Sequence, residues 1–180
     1  MESLDILILG VEASIALAGF AGIVATFQFS GDKETRRTDA VGLTIILQFS
    51  LQCALGCAIP LTLFSFGIGE ATIWIIASGY NSVSTLAAQF YFHNKIGDSL
   101  KGKFFYKVAL FLFFVSTIFA LINAMNSFDL VFHRTAGPFI ASIVWFLSLS
   151  GLMFSRLLLI PIWRNVHKQE TAKLAEASSS

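Results

Sequence analysis

Residues 10–27 read GVEASIALAGFAGIVATF, small and apolar throughout except for one ionisable side chain, Glu12. As a helix the stretch rises about 27 Å at 1.5 Å per residue. That nearly matches a hydrocarbon core of about 30 Å. The segment therefore reads as a membrane helix that carries an acid.

The rest of the chain repeats the pattern without the acid. Four more apolar segments follow, giving spans at about 4–30, 40–66, 71–92, 104–125 and 138–163. Each reaches the roughly 20 residues that a crossing helix needs. None shows the short alternating runs of a transmembrane β-strand. Composition agrees. Of 180 residues, 56% are hydrophobic and 13% charged, whereas a soluble domain carries about 25% charged residues. The mean hydropathy is +0.75. The fold class expected is all-α, a transmembrane helical bundle of about five spans. It forms one domain over residues 1–166, followed by a polar cytoplasmic tail, 167–180, that is partly helical.

Basic residues set the expected orientation. Lys33, Arg36 and Arg37 lie in the first connection, Lys95, Lys101, Lys103 and Lys107 in the third, and Arg156, Arg164, Lys168 and Lys173 toward the end. Arg134 stands by itself in the fourth connection, and GIGE in the second holds no base. Eleven of 12 lysines and arginines thus fall on one side. The positive-inside rule then puts the N-terminus outside and the C-terminus in the cytoplasm. The acidic start, MESLD, and the length of the first apolar run favour a retained helix over a cleaved signal. A net charge of +1 suggests no nucleic-acid partner. The lipid bilayer is the expected partner, together with further copies of the chain or a membrane partner subunit.

Helix one offers a ridge of small residues, Gly10, Ser14, Ala18 and Gly22, at a spacing of four. Such ridges let backbones approach closely. With Glu12, Ala16 and Gly19 on another side, the helix is expected in the middle of the bundle. Helix four is bulky along FFYKVALFLFFVSTIFAL and reads as a lipid-facing wall. Helix five shows a polar seam at Ser148, Gly151 and Ser155.

Depth brings Glu12, about 12 Å below the outer surface, level with Ser78–Asn81 at about 10 to 15 Å. Two readings stay open. Glu12 can be a neutral carboxylic acid hydrogen-bonded to Ser or Asn as inter-helix glue. It can also be a proton or ion site facing a wet seam, and Gln48, Gln52, Ser78, Asn81 and Gln89 then line the rest of a polar pathway.

Catalytic and cofactor chemistry finds little purchase. Cys53 and Cys57 are a helical turn apart with no histidine beside them, so they read as small core residues rather than metal ligands. His93, His133 and His167 all lie at segment ends. The tryptophans read mostly as interfacial anchors. The expectation is a non-enzyme with no metal and no cofactor.

GFAGIVATF, PLTLFSFGIGEATIW and AGPFIASIVWFLSLSGLMFSRLLL resemble a recurrent group of small bacterial multi-pass inner-membrane proteins of unassigned function. The resemblance implies a helical bundle in the bacterial inner membrane and supplies no site residues. Three functions compete: a small proton or ion channel or transporter component, a non-catalytic scaffold or partner subunit, and a membrane-acting stress or defence effector.

Overall fold

A computed structural model describes residues 2–28, 33–100 and 104–179. They form five helices: α1 (Glu2–Gln28), α2 (Lys33–Ser65), α3 (Glu70–Leu100), α4 (Phe104–Ser127) and α5 (Ala136–Ser179). Among the described residues there is no strand. In hydrocarbon each N–H and C=O needs a partner within its own segment, and the helix supplies it.

Four of the helices contain a stretch long and apolar enough to cross a membrane, at Ser3–Thr26, Gly42–Ser65, Leu110–Ser127 and Ala136–Leu159. The exception, α3, carries Ser78, Asn81, Ser82, Ser84, Thr85 and Gln89 on a length that is otherwise apolar. Helix ends differ from the sequence boundaries where polar residues continue the helix. α2 starts at Lys33 rather than 40, α3 runs on to Leu100, and α5 continues through the tail to Ser179.

The turns explain how the helices stop. Gly67 takes φ 70 at the end of α2. Its N–H donates to the carbonyl of Phe64 at 3.0 Å, and that of Ile68 donates to Leu63 at 3.3 Å. This is the paired geometry of a Schellman cap, in which a residue with positive φ lets the last carbonyls find donors. α4 ends the same way with Asp129 at φ 61. Asp129 N–H donates to Asn126 at 3.3 Å and Leu130 N–H to Met125 at 3.0 Å.

The central helices are α2 and α5. α2 touches α1, α3 and α5, and α5 touches all four of the others, whereas α1 contacts only α2 and α5. The sequence expectation that α1 occupies the middle is therefore corrected. Only one side of α1 is used, through Leu7, Gly10, Ser14, Ala21 and Ala25, and the bulky Leu9, Ile15, Phe20 and Ile23 stay outside. On the second side those four large residues outweigh Ala16 and Gly19, so it is not a small or polar face.

Much of the core packing is aromatic. Phe49 stacks on Phe146 at 5.5 Å, and Trp74 lies 6.0 Å from Phe139 and 5.9 Å from Phe64. Trp74 is thus a core residue and not an interfacial anchor. Cys53 and Cys57 are free thiols buried in the same cluster, as small core residues should be.

Candidate functional site

A ladder of uncharged polar side chains runs between α3 and its neighbours. At the end nearest the α4–α5 connection Asn126 donates from Nδ2 to Ser78 Oγ at 2.9 Å and to the Thr135 carbonyl at 3.0 Å. Its Oδ1 accepts the Thr135 N–H at 3.1 Å. One carboxamide therefore joins α3, α4 and the segment that leads into α5. Next to it, Ser127 donates to the Ile75 carbonyl at 3.0 Å.

Further in, Asn123 donates to Ser142 Oγ, and Ser142 donates in turn to the Pro138 carbonyl at 2.9 Å. Gln52 reaches across from α2 and donates to Thr85 Oγ1 at 2.7 Å. Deeper still, Thr117 donates to Gln89 Oε1 at 2.9 Å while Gln89 Nε2 donates to the Phe113 carbonyl at 3.2 Å. Trp145 Nε1 donates to Ser116 Oγ at 3.0 Å, and Ser50 and Ser150 share a bond of 2.8 Å. From Ser78 to Gln89 the ladder covers about 16 Å of helix α3. Bonds of this kind hold helices together where the surrounding lipid offers no alternative donor or acceptor.

No family model, curated protein or solved structure matches the chain. What the site can do is argued from its geometry.

The structure gathers Gln52, Ser78, Asn81 and Gln89 into or beside this ladder, and Gln48 is half-buried one turn before Gln52 on α2. It does not bring Glu12 to them. Glu12 is exposed on α1, which touches neither α3 nor α4. The depth expected from the sequence fixes one coordinate only, and the helix order decides the others. On a helical wheel of 100° per residue, Glu12 lies about 160° from the centre of α1's buried face.

The small-residue ridge is used in part. Gly10 and Ser14 are buried and Ala18 is half-buried. A Cβ on Gly10 would stand 2.8 Å from Cys57 Sγ, whereas one on Gly22 would meet nothing within 4 Å. A spacing of four residues advances by about 40° per step, so Gly22 has rotated away from the contact that Gly10 makes.

Two polar assignments move. On α5 the hydroxyls of Ser148 and Ser155 face outward and donate to their own helix, to Val144 at 2.8 Å and Gly151 at 2.9 Å. The inward residues are Ser142 and Ser150. α4 is a lipid-facing wall on one side only. Phe111, Phe114, Ile118 and Leu121 are exposed, but Ser116, Asn123 and Asn126 are buried. The two asparagines escaped the sequence reading because they follow the bulky run. Their signal was the interval of seven residues from Ser116 to Asn123 and of three from Asn123 to Asn126, which puts them on one face.

Among the described residues no group of three or more His, Cys, Asp or Glu side chains could hold a metal. The candidate site is therefore two separate features: an inward carboxamide ladder, and an outward acid on α1.

Proposed function

We propose that the chain is a non-catalytic, assembling subunit of the bacterial inner membrane, and that the outward face of α1 is where copies meet. The observation that carries this is the setting of Glu12. It stands on a face shared with Leu9, Ile15 and Phe20, which are 63%, 62% and 59% exposed. On insertion scales an acidic or basic residue near a helix centre costs about 2.5–3.5 kcal/mol in lipid. A protein neighbour that offers hydrogen bonds removes that cost. Copies inserted with the same orientation bring Glu12 to the same depth, where the side chains can hydrogen-bond across the contact. Ala16 and Gly19 on the same side allow close approach. In a dimer the two acids pair. In a larger ring they line the axis, so a proton or ion pathway would belong to the assembly and not to one chain.

The test is subunit counting in liposomes by single-molecule photobleaching. Wild type and Glu12→Gln, which keeps the hydrogen bonds, should give multimers, and Glu12→Leu should shift the population to monomers. A cysteine at Gly19 should cross-link to its copy. A monomeric wild type at every protein-to-lipid ratio overturns the proposal. Proton flux separates the two assembled forms, since it falls in Glu12→Gln if the acids conduct and is absent throughout if the assembly is a scaffold.

The topology proposed with it has five spans, the N-terminus outside and the C-terminus in the cytoplasm. α3 serves as the fifth span because its polar residues face the bundle while Ile76, Val83, Leu86 and Phe90 face out. A reporter fused after Ser180 should be active only as a cytoplasmic fusion, and periplasmic activity would reverse the orientation.

A further inference from the structure

Inside the ladder, four side-chain atoms are buried without a partner in the chain: Oδ1 and Nδ2 of Asn81, Oδ1 of Asn123 and Oε1 of Gln52. Asn81 is 0% exposed, so neither of its polar atoms reaches solvent or lipid headgroups. Both ends of a carboxamide left unmet is the exception in a buried site, where polar groups are nearly always paired with protein or with ordered water.

The pairing across α3 and α4 brings these atoms together. Bonds join Ser127 to Ile75, Asn126 to Ser78 and Thr117 to Gln89, so the helices run antiparallel and step past each other in fixed register. One turn inward from the Ser78–Asn126 bond, the register sets Asn81 of α3 beside Asn123 of α4. The next turn of α3 presents Thr85, where Gln52 arrives from α2. Thr85 also donates to the Asn81 carbonyl at 2.6 Å. The unmet atoms of three helices therefore fall at levels within about two turns, or 11 Å, along the axis of α3.

Charge decides what they can hold. Among the described residues no acidic or basic residue is buried as a whole, and Glu12 is on a helix that does not touch α3 or α4. An unneutralised ion in such a setting is strongly disfavoured by desolvation. The occupant is neutral. It must donate to as many as three carbonyl oxygens and accept from one NH2 group. A pair of waters matches, since each donates two hydrogen bonds, accepts two, and typically makes about three when buried.

We infer that Asn81, Asn123 and Gln52 form an internal hydration site of at least two waters, which accept from Asn81 Nδ2 and between them donate to the oxygens of the three carboxamides. These waters complete the ladder between its bonds at Asn126 and its bonds at Gln89. The site is independent of the Glu12 face, and it stands or falls whether or not copies assemble.

The experiment uses the full-length wild-type chain in nanodiscs, labelled with 15N at asparagine. Side-chain NH2 groups are assigned through their bonds to Hβ, and water-to-amide cross-relaxation is read with NOE and ROE signs that separate dipolar contact from proton exchange. Asn81 should give a dipolar water cross-peak. Asn126 should give none, because its NH2 is taken by Ser78 and Thr135. The absence of a water contact at Asn81 overturns the site. So does a shift of the Asn81 resonance on replacing choline chloride with sodium or potassium chloride, which would make the occupant a cation.

Discussion

Replacing Asn126 with leucine is expected to lower the stability of the bundle by about 3 kcal/mol, the sum of several modest hydrogen bonds and their unmet partners. The side chain is fully buried and makes three bonds, two as donor and one as acceptor. Leucine has similar volume but no polar atoms, so the loss is chemical rather than steric. It leaves Ser78 Oγ, the Thr135 carbonyl and the Thr135 N–H without Asn126. The Thr135 groups matter most, because they fix the chain where it leaves the αL positions of His133 and Arg134 and enters α5. Bonds between membrane helices are individually worth about 0.6 kcal/mol and at most about 1.7, so a single lost bond cannot reach the expected value. Equilibrium unfolding in mixed micelles, titrated with a denaturing detergent, measures it. Ser148→Ala is the matched control. That hydroxyl is exposed and bonds only to its own helix, so its loss should stay within about 0.5 kcal/mol. Equal effects from the two substitutions would mean that the Asn126 rung of the ladder does not hold the helices together.

The asparagine rung also shows where sequence reading reaches its limit in this chain. The apolar segments were plain because length and hydropathy are properties of each helix by itself. All five segments are helices in the structure, with ends moved where polar residues extend them. That Gln52, Ser78 and Asn81 turn inward was legible from their spacing. Which helices they meet was not, because nothing local to α3 says that α4 and not α1 lies across from Ser78. The placement of α1 failed for a related reason. An expected common level put Glu12 near Ser78, yet α1 contacts α2 and α5 and not α3. Asn123 and Asn126 were missed because a bulky run hides a polar face when residues are read in order and not around the helix axis.

Rotation about the axis gives the sharpest test, on α1 itself. Gly10→Leu is expected to cost more than about 3 kcal/mol, or to prevent α1 from docking, which exceeds the usual 1–3 kcal/mol of core overpacking. The first atom added would already stand 2.8 Å from Cys57 Sγ, with Ile143 Cγ2 at 3.6 Å on the other side. Cys57 cannot easily yield, because it is itself buried in the cluster with Trp74, Phe139 and Ile143. Three further carbons then have nowhere to go unless the backbones of α1 and α2 separate. That separation would also loosen the contacts Leu7 and Ser14 make on the same face. Gly22→Leu is the counterpart. The same ridge carries it, but a Cβ there meets nothing within 4 Å, and helix propensity favours leucine over glycine by nearly 1 kcal/mol. A monomer should therefore tolerate or gain from the second change while failing at the first. The two variants are compared by unfolding in mixed micelles, with a cysteine pair between α1 and α2 to report docking. If Gly22→Leu proves as damaging as Gly10→Leu within the single chain, the rotation of α1 is wrong. If it leaves the single chain intact but disrupts multimers, the interface between copies extends from Gly19 around to Gly22.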